Sequence, residues 1–399
     1  MNRSILVADT FPEKNLQNLQ AVAPTRYEPN IKAEELPHLI QTANILVVRS
    51  KKVTAETIES GKSLSLIVRA GAGVNTIDVD SASRKGIFVS NCPGKNSIAV
   101  AELVFGLLLA IDRRIPENVL ELRDGKWNKT EFSRAAGLFG RTLGIVGMGA
   151  IGKEVAFRAK SFGMKILGWS RSLTEENAET MGIEFCPDLL TLASRSDIVS
   201  IHLALTPETN HLIGKNFFKA MSSGAVFINT SRSEVVDTDS LFTAVQEKKI
   251  RAGLDVFPDE PGAGKGEYHH PLLKLPGVYG THHIGASTEQ AQQATADETV
   301  RIISKFLMTG EVDNCVNLSQ NTPATHQLVI RHKDKVGVLA GVLDLLKKSG
   351  INVEEMENRI FQKKEAACCR IRLSSKPSDE LLSKMESEEE IIQVELLPL

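Results

Sequence analysis

From residue 4 to residue 284 the chain repeats one pattern, a short apolar, β-branched run followed by a longer amphipathic or polar stretch. "SILVAD", "NILVVRS", "LSLIVRAG" and "GIFVSN" make a first series; "TLGIVGMG", "MKILGWS", "SDIVSIHLAL", "GAVFINTSR", "IRAGLDVF" and "GVYGTHHIG" make a second. Continuous apolar runs of this length read as strands buried on both faces. Strands that alternate with helices imply parallel sheets with helices on either side. Between the two series lies "SIAVAELVFGLLLAI", whose residues 98–111 are too few for a membrane span and include Glu102. It reads as a buried helix joining two doubly wound α/β domains, with a cleft at the join.

The remainder has a different grammar. "STEQAQQATADETVRIISKFLMTG" predicts a long helix ending at Gly310, and the polar "NLSQNTPAT", residues 317–325, predicts a linker around Pro323. "HQLVIRH", "GVLAGVLDLLKKSG", "INVEEMENRIF", "AACCRIRL", "SDELLSKMES" and "IIQVELL" then spell β-α-β-β-α-β, a ferredoxin-like domain. The expected division is 1–97 with 285–316 for a substrate-binding domain, 98–284 for a dinucleotide-binding (Rossmann) domain, 317–325 for the linker and 326–399 for the terminal domain. Net charge is -2 with no basic block, which argues against a nucleic-acid partner. Five cysteines lack any Cys-x-x-Cys spacing, so neither a metal site nor a disulfide framework is expected. With no signal-like or spanning segment, the reading is a cytoplasmic protein without a membrane partner.

The chemistry concentrates at the ends of the second series. "GMGAIG" places Gly147, Gly149 and Gly152 between an apolar strand and a helix, where a tight turn, a bare backbone and close packing admit a pyrophosphate. The helix N-terminus adds unpaired N–H groups and a positive dipole end. Further on, Arg232, then Asp255 and Glu260, then His283 follow three successive strands. Ligands of open α/β sheets lie beyond the carboxyl ends of strands, so these side chains are placed to converge on one crevice. An arginine grips a carboxylate with paired hydrogen bonds, a histidine moves a hydroxyl proton, and a carboxylate orients the histidine. Arg49 and Arg69 end strands of the first series and face the same crevice, adding two cationic donors to it.

The motifs "VRAGAGVNTIDVDSASRKGIFVSNCPGKNS", "AELVFGLLL", "GRTLGIVGMGAIGKEVA", "GLDVFPDEP" and "HHIGAST", in this order, resemble the D-isomer-specific 2-hydroxyacid dehydrogenases, and among them the phosphoglycerate dehydrogenases. The resemblance implies that Arg232, Glu260 and His283 are catalytic and that Ala150, Ile151, Leu203 and Asp255 line the cofactor. It implies NAD as cofactor and 3-phosphoglycerate as substrate; a homodimer or homotetramer is expected, and the apolar helix from Ile98 suggests a shared interface. The terminal domain is similar to an ACT domain, a sensor that binds L-serine or another amino acid; His332, Asp334 and Asn352 are its candidate effector residues. Departures from the family pattern are Ser233 after the arginine, His282 before the histidine, Asp334 and Val336 in the sensor turn, and Ser170 where NAD-linked members carry aspartate. Ser170 removes a repulsion toward a ribose 2′-phosphate and Arg171 offers it a partner, so NADP is expected to be accepted. Two other readings share the fold: an NADPH-linked glyoxylate or hydroxypyruvate reductase, and a non-catalytic dinucleotide-sensing binding protein.

Overall fold

The apolar runs become strands because their side chains meet packed layers on both faces. In the computed structural model, which describes residues 3–261, 265–319 and 322–399, β1 (Ile5–Val7), β2 (Thr25–Tyr27), β3 (Ile45–Val48), β4 (Leu66–Arg69) and β5 (Phe88–Ser90) form a parallel sheet ordered β2-β1-β3-β4-β5. One face packs Val7, Val47 and Val68 against Ile302, Ile303 and Phe306 of the helix Glu289–Thr309. The other packs Leu46, Val48 and Ile67 against Leu36, Ile40 and Ile58. A helix late in the chain thus returns to complete the first core.

The second sheet holds β6 (Thr142–Val146), β7 (Lys165–Trp169), β8 (Glu184–Phe185), β9 (Ile198–Ile201), β10 (Val226–Asn229), β11 (Arg251–Leu254) and β12 (Val278–Gly280). Its order is β12-β11-β10-β9-β6-β7-β8, again parallel throughout. Strand order reverses beside β6, between β6 and β9, and in the first sheet between β1 and β3. Such switch points open a crevice beyond the strand ends. The helix Ser97–Arg113 packs Val104, Leu107, Leu108 and Ile111 into the second core. This corrects the expectation of a shared surface there: apart from Ile98, its large apolar side chains belong to the chain's own core, and the exposed ones come next, at Ile115, Leu120, Leu122 and Trp127.

The chain parts into two compact units between Asn317 and Leu318, at the start of the expected linker; residues 320 and 321 of that linker lie outside the described residues, as do 1, 2 and 262–264 of the two preceding domains. The second unit contains β13 (His326–Lys333), β14 (Val353–Ile360), β15 (Ala366–Leu373) and β16 (Ile391–Pro398), all antiparallel in the order β14-β15-β13-β16. Alternate residues such as Leu328, Ile330 and Ile371 meet Val342, Leu346 and Met385 from the helices Val338–Lys348 and Asp379–Glu386. This is the β-α-β-β-α-β unit read from the sequence, with one face of its sheet covered by helices. Among the described residues no helix is long and apolar enough to cross a membrane.

Candidate active site

The glycine turn after β6 separates what the protein needs from what a ligand needs. Gly147 has φ 100°, and a Cβ there would lie 2.4 Å from the His202 carbonyl oxygen. A Cβ on Gly152 would lie 2.1 Å from the Gly147 carbonyl oxygen, so strand and helix approach only because both residues are bare. Gly149 is different: a Cβ there meets nothing within 4 Å. Gly149 caps the helix Ala150–Ser161 without any side-chain hydrogen bond to its first turn. Open space in front of uncapped N–H groups fits a dinucleotide's pyrophosphate. Leu203 stands over the same turn, its Cδ2 3.2 Å from the position of a Gly147 Cβ, and Ala150 and Ile151 open the helix. Ser170 follows β7 half-buried and Arg171 is exposed. Glu208, beyond β9, has its carboxyl held below the usual range by the Thr206 hydroxyl, by a backbone N–H and, more weakly, by the Arg171 charge.

The histidine is placed by a buried carboxylate. Asp255, 1% exposed, accepts hydrogen bonds from Thr281 Oγ1 (2.6 Å), the Ile284 N–H (2.9 Å) and the Gly285 N–H (2.9 Å). These bonds bracket His283, which has φ 53°, a left-handed conformation that a side chain adopts only when its surroundings compel it. Asp255, which the resemblance sets among the residues lining the cofactor, lies buried beneath the 281–285 loop, where it supports His283. His283 Nδ1 is 2.7 Å from Glu260 Oε2, and Glu260 Oε1 accepts the Phe257 N–H at 2.8 Å. That partner fixes the proton on Nδ1 and leaves Nε2 for a substrate. The hydrogen bond to Glu260 raises the His283 pKa against the opposing effect of burial. Burial alone would raise Glu260, but the bonds from His283 and Phe257 outweigh it and hold the carboxyl low. The neighbouring imidazole, His282, is exposed, and Glu260 pairs with His283.

Three guanidinium groups gather opposite. Arg49, Arg69 and His283 line one cavity of about 1080 Å³ with Gly71 and Asn96. The Arg69 pKa is lowered first by burial and then by the charges of Arg232 and Arg49, so the three cations share a neighbourhood. Arg69 Nε is buried with no hydrogen-bond partner among the described residues. A Cβ on Gly71 would lie 2.0 Å from Arg69 Nη1, and one on Gly73 2.7 Å from Arg232 Nη2. The glycines of "RAGAGV" are therefore the space into which two guanidiniums fold. Asn229, at the end of β10, accepts the Ser231 N–H and donates to the Arg232 carbonyl, shaping the turn that presents Arg232. Ser233 replaces glycine there without a left-handed φ, so the substitution is accommodated.

The structure does not gather the three candidate effector residues. His332 is buried, its Nδ1 bonded to the Lys333 carbonyl and its Nε2 3.3 Å from Asn358 Oδ1. Asp334 follows it and is exposed. Asn352 bonds Glu354 instead, just before β14. The registers explain the separation: His332 pairs with Ala367 and Val353 with Leu373, so Asn352 sits at the other end of the sheet, roughly 20 Å away at about 3.3 Å per residue. Asp9, Gly71, Gly73, Asn229 and Thr281 support the site without having been singled out in the sequence. The doubled glycine after a strand was the one available signal.

Residues 105–285 match the model of the D-isomer specific 2-hydroxyacid dehydrogenase NAD-binding domain. A hydroxypyruvate reductase of Thermotoga maritima is 42% identical over 70% of this chain and 89% of its own length. The chain belongs to the D-isomer-specific 2-hydroxyacid dehydrogenase family. A D-3-phosphoglycerate dehydrogenase of Methanocaldococcus jannaschii is also 42% identical, over 79% of this chain, which spans 59% of that relative's length. Among solved structures, a cofactor (NAD+) bound 3-phosphoglycerate dehydrogenase of Entamoeba histolytica superposes with a TM-score of 0.66 at 28% identity, covering 80% of this chain and 99% of its own. An NADPH-dependent glyoxylate/hydroxypyruvate reductase of Sinorhizobium meliloti, in complex with NADP and malonate, does so at 0.68 and 28%, covering 79% and 97%. The family's NAD-binding domain is the part that contains the glycine turn, Arg232, Glu260 and His283.

Proposed function

We propose that the protein interconverts 3-phospho-D-glycerate and 3-phosphohydroxypyruvate, the entry step to L-serine. The nicotinamide cofactor would be held by Gly147, Gly149, Gly152, Leu203 and Ser170, and it supplies the hydride. Arg232 grips the carboxylate beside the reacting carbon. His283 Nε2 donates a proton to the carbonyl oxygen in reduction and takes it back in oxidation, while Glu260 holds the ring and favours its charged form. Arg49 and Arg69 meet the phosphate. The gathering of three guanidiniums, Arg49 and Arg69 lining the cavity and Arg232 close enough to Arg69 to lower its pKa, carries this reading, because a small 2-oxo acid presents a single anion and leaves two of them unmatched. Comparing turnover of phosphohydroxypyruvate with that of unphosphorylated 2-oxo acids tests it.

A glyoxylate or hydroxypyruvate reductase linked to NADPH is the second reading, favoured by Ser170–Arg171 and by the names of some relatives. The His283–Glu260 pair supports catalysis over dinucleotide sensing alone. We assign 1–97 with 285–316 to the substrate and 98–284 to the cofactor, and we read 326–399 as an ACT-like regulatory domain. An amino acid such as L-serine would bind at the turn carrying Asp334, which calorimetry with L-serine tests. The exposed Ile115, Leu120, Leu122 and Trp127 support a homodimer or homotetramer, tested by light scattering.

A further inference from the structure

The first sheet contains a device that mirrors Asp255. Asp9 lies just beyond β1, and β1 pairs in parallel with β3, whose end leads into Arg49, Ser50 and Lys51. Three consecutive backbone N–H groups converge on one oxygen: Arg49, Ser50 and Lys51 donate to Asp9 Oδ2 at 2.6, 3.0 and 3.2 Å. The other oxygen receives Lys51 Nζ at 3.3 Å and the Ser50 hydroxyl at 3.4 Å. Lys51 Nζ is anchored in turn to the Pro29 carbonyl at 2.9 Å. Successive N–H groups that point inward make an anion-binding concavity. Here the chain fills it with its own carboxylate, 9% exposed, at the switch point between β1 and β3. In the second sheet Asp255 beyond β11 holds the loop that follows the neighbouring β12, and that loop bears His283. In the first, Asp9 holds the loop that follows the neighbouring β3, and that loop bears Arg49. Both loops line the same cavity.

We infer that Asp9 is a positioning residue: its carboxylate, seated in the nest of the 49–51 turn, fixes the backbone from which Arg49 meets the distal anion of the substrate. The inference rests on the reading that Arg49 binds that anion. Without the carboxylate the three N–H groups lose their common acceptor, the turn relaxes, and Arg49 must be ordered at each binding event. The loss therefore falls on binding of the phosphorylated substrate, because the proton-transfer pair stands on the other sheet.

The test compares Asp9→Asn and Asp9→Ala with the wild type on phosphorylated and unphosphorylated hydroxypyruvate. The KM for the phosphorylated substrate is expected to rise about tenfold, the size of one charge-assisted contact, while kcat for both and the KM of the other stay within about threefold. Formate, a carboxylate of the right size for the nest, should restore the KM of Asp9→Ala. Asp9→Asn should add nothing once Arg49 is alanine, since the two act through one contact. An equal loss on both substrates, no rescue, or additive effects would overturn the inference. If the wild type does not discriminate between the two substrates, the substrate reading fails. Calorimetry with inorganic phosphate then decides Asp9 by itself: Asp9→Asn must weaken phosphate as Arg49→Ala does, and undiminished binding refutes the positioning role.

Discussion

Replacing Glu260 by glutamine keeps the shape of the His283 partner and removes its charge. The 2.7 Å bond from His283 Nδ1 to Glu260 is the largest cause of the raised imidazole pKa. A hydrogen bond to a charged group contributes roughly 1.5–3 kcal/mol, and about 1.4 kcal/mol corresponds to one pKa unit. The His283 side chain is 47% exposed and that of Glu260 33%, so solvent screens the pair and leaves only part of what a fully buried one would show. The sign follows from the direction of the shift. With the imidazolium as the proposed proton donor in reduction, reduction should decline as pH rises through the His283 pKa, and lowering that pKa should bring the decline to lower pH. Oxidation needs the neutral ring, so its acid limb moves down by the same amount. The assay is kcat/KM against pH in both directions, followed through the absorbance of the reduced nicotinamide. Glu260→Gln should displace both limbs downward and lower kcat about ten- to a hundredfold. Limbs that stay in place, or that move upward, would refute the view that Glu260 holds the proton on His283.

The remaining expectations follow from the same geometry. His283→Ala should lower kcat about 10²–10⁴-fold, whereas His282→Ala should leave it within about threefold; steady-state kinetics of the two variants settles which imidazole transfers the proton. Arg171→Ala should weaken NADP(H) about tenfold with little effect on NAD(H), and Ser170→Asp should turn the preference toward NAD(H), measured as kcat/KM for each cofactor. Glu298, whose carboxyl is brought down to about 2 chiefly by its hydrogen bond with Arg301, favours the folded state above its ordinary pKa. That contribution is lost as pH falls from about 4.5 toward about 2. Glu298→Gln should therefore lower the melting temperature at neutral pH and flatten its acid dependence, as calorimetry across that range would record.

The interior strands were legible because both faces are buried, which writes a continuous apolar run into the sequence: "ILVV" and "LIVR" could be little else. Two of the edge strands, β2 and β8, were not. "TRY" at β2 and "EF" at β8 are half-exposed, carry charges, and take their conformation from the neighbour they pair with rather than from their own pattern. The candidate catalytic residues, Arg232, Glu260 and His283, stood at strand ends where the alternation of elements points. The supporting carboxylates were harder to read: the partners of Asp9 lie some forty positions later, and only the parallel pairing of β1 with β3 joins them. The apolar stretch at residues 98–111 was correctly read as a helix, yet its surface was not, because a helix that is apolar nearly all round belongs in a core. The place of Asn352 was hidden for a related reason. Sequence places it on a strand of the same sheet as His332, while the antiparallel register decides which end of that sheet it occupies.

The most direct test of the substrate assignment is kcat/KM for 3-phosphohydroxypyruvate against hydroxypyruvate and glyoxylate, with one enzyme preparation and each reduced cofactor. If Arg49 and Arg69 meet the phosphate, their charge-assisted contacts should favour the phosphorylated substrate by about a hundredfold or more, and the preference should collapse in the Arg49→Ala, Arg69→Ala double variant. Equal efficiency on the three substrates, or a preference for glyoxylate, would contradict it.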